Sequence, residues 1–543
     1  MKQKESPRSS KSKRRYQFRW EWLILLAVIL LVIVIRIRLL DVPLERDEGE
    51  YAYAGQLILQ GIPPFQEDRL PGTYFAYALI MALFGETSSG IHVGLLLVNI
   101  GTSVLLVFIG KRVCDLMTGV VAGASFGILS LSQSVQGVFA QSEHFVILFG
   151  LWGLLVLQNA IASGKTYRFL LSGLVLGFAF MMKQHGGAFV LFGVLYTGFS
   201  CFENKPKNWR ECLLKCGILS VGALIPFGVL CGIHVVAGDF GNFWFWKFTY
   251  AREYVSSVSV TTGFGIFKSR VASLARSEVL MWILAGIGLI ALFWDKKMRP
   301  QIFFVSGFFL FSFFAICPGF HFRPHYFVLI LPSLSLLMGL GSSSIKRVLS
   351  GVFSKMIGAG ILVFFLGAAF FYSIYKERTF FFELKPVMAS RATYGANPFP
   401  ESVEIGKYIR EHSAENDRIA VLGSEPQIYF YSKRRAASNQ INMYELMGSH
   451  RYALEMQREI IREIEASRPK FIVFVNVPGS WRVRPESETL VFSWFQQYTG
   501  KYYKLVGIVD IVSPRFSEYR WGDDSIGYSP RSKAWIGIFE RKE

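Results

Sequence analysis

Trp22-Leu-Ile-Leu-Leu-Ala-Val-Ile-Leu-Leu-Val-Ile-Val-Ile-Arg-Ile-Arg-Leu-Leu40 runs straight into Asp41-Val-Pro-Leu-Glu-Arg-Asp-Glu-Gly-Glu50. The first segment is long and apolar enough to cross a hydrocarbon core as a helix. The second is acidic and holds the pair Asp47-Glu48. A charge at the bilayer centre costs roughly 2.5–3.5 kcal/mol even on the mildest scale. Two carboxylates just past a spanning helix avoid that cost and still lie against the membrane. A base for chemistry on a lipid-linked substrate belongs there.

Apolar runs recur along the whole first part of the chain, which has 543 residues, 52% of them hydrophobic. Span-length stretches fall at 21–40, 90–110, 116–134, 143–161, 169–183, 187–203, 213–236, 277–294, 301–317, 326–342 and 356–374, about eleven in all. The fold class expected is a polytopic α-helical membrane protein carrying a C-terminal soluble α/β domain. Residues 1–20 include Lys11, Lys13, Arg14 and Arg15 and show no small-residue cleavage site. They read as a cytoplasmic tail before an uncleaved first helix. Alternate connections are basic: Lys111-Arg112, Lys165 to Arg168, Lys205 to Arg210, Asp295 to Arg299 and Lys346 to Lys355. Basic loops stay inside, so an odd number of spans sends the C-terminal part outside. The domains are therefore 1–20, a basic tail; 21–375, the transmembrane domain with first outer loop 41–89; and 376–543, an extracytoplasmic soluble domain. The setting is the inner (plasma) membrane.

The net charge of +19 follows from this loop bias, and no basic stripe interleaved with aromatics suits nucleic acid. The six cysteines all precede residue 318 and lack the paired spacing of a zinc site. The C-terminal domain thus folds without disulfides. The first outer loop contains two short amphipathic stretches, 48–60 and 73–84, either side of Gly61-Ile-Pro-Pro64, expected to lie in the membrane interface. A second long outer loop, 237–276, holds Phe243-Trp-Phe-Trp246, read as an aromatic belt at headgroup level or a wall of a lipid-substrate groove. The stretch 169–203 breaks at Lys183-Gln-His-Gly-Gly187, because a straight helix of that length, about 50 Å, exceeds one crossing. That turn puts Lys183 and His185 at the outer surface. After residue 376, helices at 401–413 and 452–467 alternate with strands at 418–422, 471–475, 504–511 and 535–539.

Three sets of residues could carry chemistry. Asp47 and Glu48, preceded by Arg46, sit where a carboxylate can take a proton from an acceptor hydroxyl. Glu143, in Gln141-Ser-Glu-His144, adds an acidic group at an outer helix start. Lys183, His185 and the turn His321-Phe-Arg-Pro-His-Tyr326 place cations on the same side, where a phosphate leaving group needs stabilising. Arg36 and Arg38 lie near the outer end of the first helix. Gly164-Lys165-Thr166 is not a P-loop, since position 159 is Asn159 and no strand precedes it. Without a nucleotide site, an activated group would come from a lipid.

This layout resembles the GT-C glycosyltransferases, in particular bacterial members of the group of protein O-mannosyltransferases and the aminoarabinose transferase of lipid A. The resemblance rests on Arg46-Asp-Glu-Gly-Glu-Tyr51, Pro71-Gly-Thr-Tyr-Phe75, the helix start at Glu143, Ala179-Phe-Met-Met-Lys183, Arg323-Pro-His-Tyr-Phe327 and Leu331-Pro332. In the tail, Arg418-Ile-Ala-Val-Leu-Gly-Ser-Glu-Pro-Gln-Ile-Tyr429 looks like a domain carried by some members. The resemblance implies an inverting transfer from a polyprenyl-phosphate-linked sugar to a hydroxyl of a glycan, lipid or protein acceptor. It implies Asp47 as catalytic acid or base with Glu48 beside it, Glu143 as a second acidic position, and Lys183, Arg323, His325 and Tyr326 near the lipid phosphate. The family often has Lys-Pro-Pro where this chain has Arg69-Leu-Pro71, so Arg69 stands in for that lysine. His185-Gly-Gly187 also departs from the family pattern. Arg46 and His185 complete the substrate-binding set. No metal or other cofactor is expected, with a divalent cation left open. The rival readings are a transporter or flippase of lipid-linked glycans and a non-catalytic assembly protein.

Overall fold

A computed structural model describes residues 20–63, 69–203, 208–250, 252 and 258–542. The basic tail, the end of the Gly61-Ile-Pro-Pro64 turn and much of the 251–257 loop lie outside the described residues. The helical part begins with α1 (Glu21–Arg38), α2 (Arg46–Leu59), α3 (Gly72–Phe84), α4 (Ser88–Val113), α5 (Leu116–Leu129), α6 (Ser142–Ser163), α7 (Thr166–Met182), α8 (Gly187–Glu203) and α9 (Trp209–Ala237). Helices Val260–Ser277, Val279–Trp294, Ile302–Ile316, Leu331–Val352 and Lys355–Lys376 follow. Each apolar run read from the sequence is helical over most of its length. Among the described residues, six helices are long and apolar enough to cross a membrane, or up to seven when Val260–Ser277 and Val279–Trp294, bent by 103°, count as one. Outward-facing Leu213, Leu224, Val229 and Ile233 of α9 and Phe75, Leu79 and Leu83 of α3 are exposed, as lipid-facing surfaces are.

Three expectations change. The run 116–134 is not one long helix. α5 ends at Leu129, about 21 Å at 1.5 Å per residue, and every residue in it is buried. The loop 237–276 contains the unexpected helix Val260–Ser277. The stretch 48–60 does not lie at a surface: α2 is buried at Arg46 and from Glu48 to Leu57.

The reason is the C-terminal domain, which covers α2. That domain is a mixed six-stranded sheet of β1 (Arg418–Leu422), β2 (Arg435–Ala436), β3 (Phe471–Asn476), β4 (Tyr503–Ser513), β5 (Phe516–Trp521) and β6 (Trp535–Arg541), in the order β2-β1-β3-β6-β4-β5. β1 pairs in parallel with β2 and β3, and the remaining pairs are antiparallel. A short helix after β1, Gln427–Ser432, lies against α2. Gly49 allows this approach: a Cβ there would meet the backbone nitrogen of Gln427 at 2.6 Å. Tyr431 Oη accepts from the Leu44 N–H at 2.9 Å, and Tyr53 Oη accepts from the Ala436 N–H at 2.8 Å.

Candidate active site

Glu45 and Glu48 start α2 with a reciprocal capping box, each side chain accepting the other's backbone N–H. This fixes the register that splits the acidic pair. Glu48 is fully buried and faces inward, bonded to His92 Nε2 at 3.0 Å and to the Ala140 N–H. Asp47, one residue earlier, accepts from Arg69 Nη2 at 2.7 Å. Glu48, expected beside the base, instead belongs to the framework of the helix start. Arg46, expected among the substrate contacts, also turns away. It bonds the Glu425 carboxylate, the Ser424 carbonyl and, at 3.2 Å, Asn397 Oδ1 of the C-terminal domain.

Arg69 is the hub of the acidic side. Besides Asp47 it lies 3.1 Å from Glu50 and bonds the Tyr51 hydroxyl, with its guanidinium 5.0 Å from the Tyr51 ring centre. Glu50 also accepts from Tyr74 Oη at 2.8 Å and from Asn442 Nδ2 at 3.0 Å. The sequence reading passed over Glu50, Tyr51 and Asn442. The i, i+3, i+4 spacing of Asp47, Glu50 and Tyr51, which puts them on one helix face, was the available signal. Asn442, nearly four hundred residues away, offered none.

On the opposite side, buried Glu143 accepts from Lys183 Nζ at 2.6 Å. Lys183 breaks α7 from α8 with extended backbone, and its ammonium lies 4.5 Å from the Tyr326 ring centre. Gly186 permits the sharp turn, since a Cβ would sit 2.2 Å from the Ala179 carbonyl oxygen. The His185 ring meets Tyr326 edge-on at 4.8 Å. Lys183 and His185 are thus partly enclosed rather than at an open surface. His325 Nδ1 lies 3.1 Å from Gln136 Oε1. The turn bearing Arg323 and His325 has Phe320 and Phe322 at φ 52° and 40°, left-handed conformations that bulky residues rarely adopt and that cluster at functional sites. Arg36 and Arg38 do not join this cluster. They donate to the carbonyls of Ser130 and Gly137, and of Phe381.

These cations set the field at Asp47. Burial pushes the Asp47 carboxyl up, but Arg69 first, with Arg323 beyond it, holds it well below the usual range. Burial brings the His325 imidazole down to about 4 against the pull of Glu143, so at neutral pH it is uncharged and Arg69 and Arg323 carry the field. Among the described residues no three His, Cys, Asp or Glu side chains converge as metal ligands. The arrangement is an ionised carboxylate, a second carboxylate paired to a lysine, and guanidinium and imidazole groups in one interacting cluster. It can take a proton and hold a phosphate.

Residues 68–229 match the family described as dolichyl-phosphate-mannose-protein mannosyltransferase. No curated protein matches the chain in sequence. The chain is similar in structure to ArnT from Cupriavidus metallidurans bound to undecaprenyl phosphate, with TM-score 0.59 and 14% identity over 96% of this chain and 98% of that one. The apo form of that protein gives TM-score 0.57 and 14% identity over 95% and 97%. The Archaeoglobus fulgidus oligosaccharyltransferase tethered to an acceptor peptide containing the NVT sequon gives TM-score 0.52 and 11% identity over 94% and 75%. The fold is that of the GT-C glycosyltransferases, multi-pass membrane proteins. The likeness in architecture extends over 96% of this chain, and the family match covers residues 68–229, under a third of it.

Proposed function

We propose that the chain transfers a sugar from a polyprenyl-phosphate donor to an acceptor hydroxyl on the outer face of the inner membrane, by inverting direct displacement. One observation carries this: the Asp47 carboxylate, bonded to Arg69, sits in the field of the Arg323–His325 turn. In this reading Asp47 takes the acceptor proton as the hydroxyl oxygen bonds the anomeric carbon. The bond from that carbon to the phosphate oxygen breaks, and the electron pair leaves with the lipid phosphate. Lys183, Arg323 and His325 receive the developing phosphate charge, which preorganised donors stabilise best where charge appears. Arg69 stands between donor phosphate and base. A phosphate that drew Arg69 from Asp47 would make the carboxylate more basic at the moment it is needed. No metal is assigned a part.

The accompanying topology has the N-terminus in the cytoplasm, all eleven apolar helical runs within the membrane domain 21–375, and domain 376–543 outside. The undecaprenyl phosphate of the ArnT structure supports a lipid-linked donor here. The ionised groups sit at helix ends, unlike the midplane sites of transporters. The test is incubation of the purified protein with a panel of polyprenyl-phosphate sugars, reading released lipid phosphate. Turnover of one donor, lost in Asp47→Asn, is expected. Equal turnover by that variant would falsify the assignment of Asp47, and no turnover of any donor would remove the reading itself.

A further inference from the structure

α7 and α9 lie side by side and touch backbone to backbone at their glycines. A Cβ on Gly173 would meet the Leu219 carbonyl oxygen at 2.1 Å, and one on Gly222 the Leu170 carbonyl oxygen at 2.3 Å. On the exposed side of this seam, towards the start of each helix, the surface is hollow. The trough there holds about 690 Å³ and is lined by Tyr167 and Leu170 of α7 and by Leu214, Gly217, Ile218 and Val221 of α9. Gly217 opens it, since a Cβ at that position would meet nothing within 4 Å. Tyr167, Leu214 and Val221 are exposed, so the trough has no cover from the chain itself.

Depth and charge say what covers it. The lining runs along α9 from Leu213 to Val221, about 12 Å along the helix axis. That is close to half of a hydrocarbon core of roughly 30 Å, the depth of one leaflet. α7 has 17 residues and ends at Lys183, about 25 Å from its start. The trough therefore faces the leaflet away from the Asp47 cluster. Its mouth is basic. Arg210 precedes Leu214 by four residues and Gly217 by seven, which puts it on the trough face of α9. Lys165 stands directly before Thr166, at the start of α7. The carboxylate in the first turn of α9, Glu211, is held by Lys215 at 2.6 Å. Lys165 and Arg210 are exposed, and among the described residues neither has an ion-pair partner.

An apolar trough one leaflet deep, with two unpaired cations at its mouth, is complementary to a phospholipid that carries net negative charge. Basic pockets between membrane helices hold anionic headgroups in this way. A zwitterionic headgroup would bring its own cation against Lys165 and Arg210. A polyprenyl chain would overrun a trough of this length. A partner helix crosses both leaflets, and the trough serves one. We propose that the trough between α7 and α9 seats one anionic glycerophospholipid, its acyl chain along Leu214, Gly217 and Val221 and its headgroup between Lys165 and Arg210. The lipid clamps the two helices at the end of α7 remote from Lys183. This proposal does not depend on the transfer reading.

The test uses the full chain, delipidated in detergent micelles, with native mass spectrometry and thermal melts. The probes are dioleoyl phosphatidylglycerol, dioleoyl phosphatidylcholine and undecaprenyl phosphate. The wild type is expected to bind phosphatidylglycerol tenfold or more tighter than phosphatidylcholine, and to melt higher with it. Gly217→Leu fills the trough and should weaken phosphatidylglycerol binding tenfold or more, removing the rise in midpoint. Its lipid-free midpoint should hold, because the new side chain enters open space and leucine is the better helix former. Arg210→Glu, at an exposed position, should erase the preference between the two glycerophospholipids, and it carries the test even if Gly217→Leu fails to fold. Equal affinity of the wild type for the two glycerophospholipids overturns the proposal. So does a preference unchanged in Arg210→Glu, or phosphatidylglycerol binding unchanged in Gly217→Leu. Undecaprenyl phosphate binding that is tighter than phosphatidylglycerol and lost in Gly217→Leu overturns it as well.

Discussion

Arg46 and Glu425 stand 379 residues apart in sequence and form one buried ion pair. The first belongs to the acidic helix and the second to the loop after the first strand of the C-terminal domain. The pair ties the domain to the helix that presents Asp47. Burial lowers the Arg46 guanidinium, and the Glu425 charge more than restores it.

Breaking that pair from one side should be expensive. Arg46→Ala strands a carboxylate with no exposed surface, and such losses run to about 3–5 kcal/mol. A depressed thermal midpoint is expected in detergent. The double variant Arg46→Met with Glu425→Leu should recover much of it, because neither charge is then left alone. A double variant no more stable than the single one would count against the pairing.

Asp47 and Glu48 are adjacent and should fail in opposite ways. Asp47→Asn is expected to cut transfer by about 10²–10⁴, the usual worth of a general base, and to lower the thermal midpoint only by what its pairing with Arg69 contributes, since Arg69 keeps Glu50 as a partner. Glu48→Ala leaves His92 and the N–H groups of Ala140 and Glu45 without their acceptor. A stability loss of about 1–3 kcal/mol is expected, with surviving folded protein keeping its KM. Thermal melts alongside initial rates separate the two.

The pH dependence follows from the direction of the Asp47 shift. Its folded-state carboxyl is held low, so the stability it contributes is present above the unfolded value and lost only as pH falls through the folded one. Between pH 5 and 8 it stays ionised and adds no acid limb to kcat/KM. Arg69→Met removes the first of the cations holding it down. The acid limb should then move up towards the assay range. A profile unchanged from wild type would detach Arg69 from the base.

Gly49→Ala tests the seam between α2 and the C-terminal domain. The new Cβ meets Gln427 backbone and side-chain atoms, both at 2.6 Å, and neither can rotate away. Overpacking of this kind costs about 1–3 kcal/mol. Lower thermal stability and faster proteolysis between 376 and 400 are the expected readouts.

The sequence made the helices legible because span-length apolar runs have few alternatives. The break at Lys183 was legible for the same reason, since an unbroken helix would overrun the bilayer. β1 and β3 were visible as short apolar β-branched runs, Ile419 to Leu422 and Phe471 to Val475. β2 was not, being only Arg435 and Ala436, and neither was β5, whose residues are exposed or half-buried. The burial of α2 could not be read either. Its polar residues suggest an interface, and what covers them arrives from Glu425, Gln427 and Asn442. The inward placement of Glu48 was not legible because it follows from a local device, the capping box with Glu45, that fixes which carboxylate of the pair is fully buried.

Glu50 holds a hand from each half of the molecule, Arg69 of the first outer loop and Asn442 of the tail. Anything that tugs the tail therefore changes how firmly Arg69 is gripped, and with it how much of that arginine Asp47 keeps. Exchanging the tail for another would retune the base, so the two halves cannot be re-engineered one at a time.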